Sequence, residues 1–196
     1  MPKRTISPEE FCETFMAGMA FCLIEPRTQR TLCWGERLAD ACKDLARLRA
    51  VMLTDTPNYL AELAKTLELE YRKEHGLFDA VFYEMDLSAS KATSSGTGEW
   101  VAVAIEHKSN PADAHAAMVR LFMAKAPLRV LITYPGDPDA AHKLLKECAE
   151  MLKPKDVPRE TSLMRKYAMI LGFVEQGDLK FSYWVFKNGD FVPWTS

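Results

Sequence analysis

The 196-residue chain has no surplus of either charge: 25 Lys and Arg stand against 27 Asp and Glu, a formal net charge of −2. A protein that grips long duplex nucleic acid without regard to sequence usually carries a basic surplus. Nucleic-acid binding here would therefore run through a local basic patch, through a dimer, or weakly. Cysteine is sparse and unpatterned. Cys12, Cys22, Cys33, Cys42 and Cys148 contain no C-x-x-C and form an odd set, which signals neither a zinc site nor a disulfide framework and predicts a reducing, cytoplasmic compartment. No apolar stretch approaches the ~20 residues that a membrane helix needs. No signal peptide is expected, because MPKRTISPEE passes directly into a capped helix. The common nucleotide and hydrolase motifs are missing too: there is no G-x-G-x-x-G, no P-loop and no G-x-S-x-G, and SSGTG at 94–98 lacks the following lysine of a phosphate cradle. His75, His115 and His142 have no partner at zinc spacing.

What is present is an ordinary globular composition, 48% apolar and 27% charged, in a length that suits a single domain with elaborations. Ser7-Pro8-Glu9-Glu10 reads as N-cap, N1 proline and acidic first turn. It predicts a helix to about Leu23, with Phe11, Phe15, Met19 and Cys22 at helical spacing. A second helix is predicted from about Gly35 to Leu53. Its apolar stripe is Leu38, Cys42, Leu45, Leu48 and Met52, and Asp40, Lys43, Arg47 and Arg49 lie largely off it. Thr56-Pro57 begins a shorter helix. Asn110-Pro111 and Asp137-Pro138 open two more, over about 112–126 and to about Leu152, the first with His115, Met118, Leu121 and Phe122 on one face.

The β signals lie between and after these helices. Residues 66–74 fit two periods: Leu63, Leu67 and Tyr71 recur as in a helix, while Leu67, Leu69 and Tyr71 alternate with charged residues as in a half-exposed strand. His75-Gly76 makes a plausible turn into the strand LFDAVFYE. The small polar segment 86–98 reads as a loop or as a flap contacting nucleic acid. WVAVAIEHK and LRVLITY follow as strands. From Tyr167 the chain alternates again, YAMILGFVE and KFSYWVF about a Gln176-Gly177-Asp178 turn, then FVPW after an Asn188-Gly189 turn. Phe181, Tyr183, Trp184, Phe186, Phe191 and Trp194 could stack on bases, but only Lys180 and Lys187 flank them, so core and interface packing accounts for them better. The ribbon is also a candidate homodimer interface.

One spacing reads as chemistry. Glu106 and Lys108 are two apart at the end of a strand otherwise apolar from Trp100 to Ile105, so they share a face, and His107 points the other way. Asp79 opens the strand before. A carboxylate that holds a divalent cation, a cation that activates water and a lysine beside them are the parts a metal-dependent phosphodiesterase requires. Charged residues also end strands simply because the chain meets water there, and that reading assigns the pair no chemistry.

These residues, with the order acidic strand, E-x-K strand, helix, strand over about Glu36 to Tyr134, resemble the PD-(D/E)xK nuclease superfamily. The proline of the motif is absent, since Phe78 precedes Asp79, and no Q-x-x-x-Y follows the E-x-K strand. The resemblance implies an α/β restriction-endonuclease-like fold: an αβββαβ core with a mixed sheet over 35–134, an N-terminal helical extension over 1–34, and a helix plus antiparallel strands over 135–196. It favours a strand for 66–74. It implies Mg²⁺ or Mn²⁺ held by Asp79, Glu106 and the His107 backbone carbonyl, with Lys108 catalytic. Glu36 is a further candidate carboxylate from the first core helix, and Glu70 the alternative. The implied function is phosphodiester hydrolysis in DNA or RNA. The other reading of the same fold is a catalytically inactive binding or assembly module.

Overall fold

A computed structural model describes residues 3–24, 31–85, 99–153, 166–175 and 178–195. The expected loop or flap at 86–98 and the Gln176-Gly177 turn lie outside the described residues. Helix α1, Pro8–Gly18, begins with a complete capping box between Ser7 and Glu10. It stops earlier than its periodicity predicts. The chain tightens past Ala17 into three-residue turns, Met19 to Met16, Ala20 to Ala17 and Phe21 to Gly18, and then enters a two-stranded ribbon of β1, Cys22–Ile24, and β2, Thr31–Cys33. Cys22 and Cys33 are disulfide-bonded across this ribbon. That corrects the expectation of no disulfide: the pairing arises from strand register, which spacing along the sequence does not reveal. Cys12 and Cys148 are buried thiols.

The single helix expected over 35–53 is broken. Helix α2 spans Trp34–Ala41, α3 spans Leu45–Arg49, and Ala50–Thr54 continues as a π-helix. Asp44 causes the break. Its carboxylate accepts the Ala46 and Arg47 amides and caps a new helix instead of continuing the old one. Helix α4, Tyr59–Thr66, is capped by Asn58. It ends at Leu67, after which Glu68 takes a φ of 56° and turns the chain into strand β3, Glu70–His75. Both readings of 66–74 were thus partly right, with Glu68 as the switch.

Seven strands form one mixed sheet in sequence order: β3, β4 (Phe78–Met85), β5 (Glu99–Lys108), β6 (Leu128–Thr133), β7 (Lys166–Glu175), β8 (Asp178–Lys187) and β9 (Asp190–Trp194). The outer pairings are antiparallel hairpins, and β5–β6 and β6–β7 are parallel. The two parallel connections pass through α5, Ala114–Met123, and α6, Pro138–Leu152. Both step the same way across the sheet, so a common handedness puts both helices on one face. There Met118, Leu121, Leu144, Leu145 and Cys148 cover Ala104, Leu131, Met169 and Leu171. On the other face Phe11, Phe15, Trp34, Leu38, Leu48 and Leu60 cover Val103, Ile105, Val130, Ile132 and Ile170. Covered on both sides, β6 is buried from end to end. The C-terminal aromatics pack on these two cores. Among the described residues no helix is long and apolar enough to cross a membrane.

Candidate functional site

The antiparallel register that pairs Ala80 with Ile105 carries Asp79 to the end of β5. The parallel register that pairs Lys108 with Thr133 ends β5 beside β6. Asp79, Glu106, His107 and Lys108 therefore meet on one rim, at the carboxyl end of the parallel strands, where open α/β sheets commonly place their ligands. Alternation along β5 sends Glu106 and Lys108 toward α5, and His107 toward the N-terminal helices.

Lys108 Nζ lies 2.6 Å from Asp79 Oδ2 and 2.7 Å from Glu106 Oε2, so one ammonium bridges both carboxylates. Each carboxylate also has an arginine. Arg49, at the end of α3, donates through Nη2 to Asp79 Oδ1 at 2.8 Å and through Nη1 to the His107 carbonyl at 3.1 Å. Arg120 of α5 donates through Nε and Nη2 to Glu106 Oε1 and Oε2, at 2.7 and 3.0 Å. The His107 amide completes the set by donating to Asp79 Oδ2 at 2.9 Å. Five charges thus alternate in sign, Arg49, Asp79, Lys108, Glu106 and Arg120, three positive and two negative.

Burial makes these contacts matter. Glu106 is fully buried and Asp79 nearly so, whereas the Arg49 and Arg120 side chains are 35% and 32% exposed. Burial alone would raise the Asp79 carboxyl. Hydrogen bonds from Lys108, Arg49 and the His107 amide outweigh it and hold the group well below the ordinary carboxylate value. The Arg120 guanidinium is pushed up by its hydrogen bond to Glu106. Behind the rim the His107 ring is sealed in the core, with Nε2 3.0 Å from the Tyr134 hydroxyl. Its value falls to about 3, first from burial and then from the positive charge of Arg49. Tyr134 reaches this position over Gly172, where even a β-carbon would collide with the ring.

Asp79, Glu106, Lys108 and the His107 carbonyl are brought together. Glu36 is not. Its Oε2 accepts the Cys33 amide at 2.8 Å, so the carboxylate closes the start of its own helix. Glu70 is exposed at the head of the edge strand β3. Sequence reasoning missed Arg49 and Arg120, because a basic residue beside an apolar helical stripe looks the same whether it faces water or a carboxylate across the sheet. Among the described residues no group of three or more His, Cys, Asp or Glu could hold a metal ion. The two carboxylates and the His107 carbonyl are the oxygen groups that accept hydrogen bonds from Lys108, Arg49 and Arg120 at this rim. No family model matches the chain, and no curated protein is significantly similar to it.

Proposed function

We propose that the chain is a metal-dependent nuclease of PD-(D/E)xK type, hydrolysing phosphodiester bonds in DNA or RNA on a restriction-endonuclease-like core. The order β3, β4, β5, α5, β6 after N-terminal helices supports that core. The observation that carries the function is the single ammonium of Lys108 seated between Asp79 and Glu106, two carboxylates from different strands aimed at one cationic position. Two carboxylates and a backbone carbonyl are hard oxygen donors, the kind that Mg²⁺ and Mn²⁺ prefer. Asp79, Glu106 and the His107 carbonyl would hold such an ion, which supplies Lewis acidity and a more acidic water. Lys108 then faces the charge that develops on the phosphate and orients the attacking water. Arg49 and Arg120 hydrogen-bond the two carboxylates and hold them at the rim. A nucleic-acid partner belongs to this reading; the Cys22–Cys33 disulfide removes the cysteine argument for a reducing compartment.

The second reading, an inactive binding or assembly module on the same fold, is favoured by one observation. Three cations outnumber two carboxylates whose oxygens are already engaged, which suits holding an anion without cutting it. The experiment is cleavage of single-stranded, duplex and branched DNA and RNA with Mn²⁺, comparing wild type with Lys108→Ala. A nuclease loses turnover by about 10² or more in the variant while Mn²⁺ binding is kept or tightened. A binding module cuts nothing in either form, and its variant only binds more weakly, with a salt slope smaller by about one. Wild type that neither cuts nor binds any member of the panel rules out both.

A further inference from the structure

We infer that Arg49 sets the site's affinity for its divalent cation by occupying two of the ion's oxygen ligands itself; the inference rests on the metal-dependent reading above. Its two hydrogen bonds end on the His107 carbonyl and on Asp79 Oδ1, at 3.1 and 2.8 Å. Those are two of the three groups which that reading assigns to the ion. Lys108 and Arg120 contact the carboxylates of the cluster and not this carbonyl. A carboxylate can turn toward a new partner by rotating its side chain. A carbonyl at the end of a paired strand cannot, so competition for it is decided by what Arg49 does.

Arg49 is also the partner able to move. It stands where α3 gives way to the π-helix, and its side chain is 35% exposed, whereas His107 is fully buried in β5. A guanidinium has five N–H donors, of which two are used here, so on release it can turn to water or to an anion on the same rim. Electrostatics adds to the competition. A dication drawn to these oxygens would be repelled by the guanidinium bonded to them, and like charges a few ångströms apart weaken ion binding by about tenfold even at water-like permittivity.

The test is titration of Mn²⁺ into the full chain, with free ion read from its paramagnetic resonance signal, for wild type, Arg49→Gln and Arg49→Lys. Arg49→Gln is expected to bind Mn²⁺ at least about tenfold more tightly than wild type. Arg49→Lys, which keeps the charge but cannot fork to both oxygens, is expected to fall between them, and it carries the test if the glutamine variant folds poorly. If Arg49 merely braced Asp79, its loss would loosen the site and leave Mn²⁺ binding unchanged or weaker. That result in a wild type that binds Mn²⁺ overturns the inference and leaves the metal reading standing. If none of the three proteins binds Mn²⁺, the metal reading falls as well.

Discussion

Glu106 is fully buried, and three charged donor groups hold it: Arg120 Nε and Nη2, and Lys108 Nζ. A buried carboxylate is tolerated only while such partners stay. Arg120→Leu is therefore expected to destabilise the fold by about 3 kcal/mol, and adding Glu106→Gln to recover much of that loss, measured by urea unfolding. A single variant as stable as wild type would mean that Lys108 and water suffice. His107 gives a pH signature. Its folded value of about 3 lies below its ordinary 6.5, so the unfolded chain takes up the proton first. The stabilisation is complete above pH 6.5 and is lost as the pH falls toward 3, at up to about 1.4 kcal/mol per unit. Asp79, depressed from 3.8, adds its own loss only below about pH 4. Thermal unfolding of wild type and His107→Gln between pH 7 and 5 isolates His107, because wild type should slope more steeply there than the variant. Glu106 and Lys108 were legible in the sequence because a two-residue strand period puts them on one face, and Asp79 joined them through the strand order that the resemblance implied. Arg49 and Arg120 were not, since what they touch depends on how helices far away along the sequence dock on the sheet.

Local signals located most elements, and where they failed one polar side chain or one backbone angle decided the outcome. The helix predicted through 35–53 carries an unbroken apolar stripe, yet Asp44 finds two amides to cap and splits it. That break places Arg49 at a helix end, near the rim. The change of structure at residues 67–70 turns on Glu68, whose φ of 56° is costly for any side chain. Its ion pair with Arg4 is surface-exposed and contributes little in return. Glu68→Gly is accordingly expected to raise stability by about 0.5–1 kcal/mol, readable as a higher melting temperature. A lower one would show that the Arg4 contact outweighs the backbone term. At Gly172 the direction reverses. Even a β-carbon there collides with the Tyr134 ring, so Gly172→Ala is expected to cost about 2 kcal/mol or more and to flatten the pH profile of His107 by displacing its partner.

Over the whole molecule, the central strands lie under helices on both faces while the margins, β3 and β9, each have one neighbour. Hydrogen exchange should follow that gradient: slowest at 102–107, 128–133 and 168–171, fastest in the two edge strands. A uniform rate across the sheet would contradict the layering. Pro193 gives edge strand β9 a residue with no amide to donate, which disfavours extension of the sheet through that edge. The charged rim draws on four stretches of chain: the end of α3, the start of β4, the end of β5 and the middle of α5. Arg49 and Asp79 are 30 residues apart in the chain, Asp79 and Lys108 29. Their meeting requires the β4–β5 hairpin, the β5–α5 return and the docking of the N-terminal helices all to be complete. Ring closures of that length are entropically costly and are repaid late in folding. Whatever this rim does should therefore vanish in a single cooperative step with the last tertiary structure, so that loss of function and global unfolding share one midpoint and no partly folded form keeps the activity.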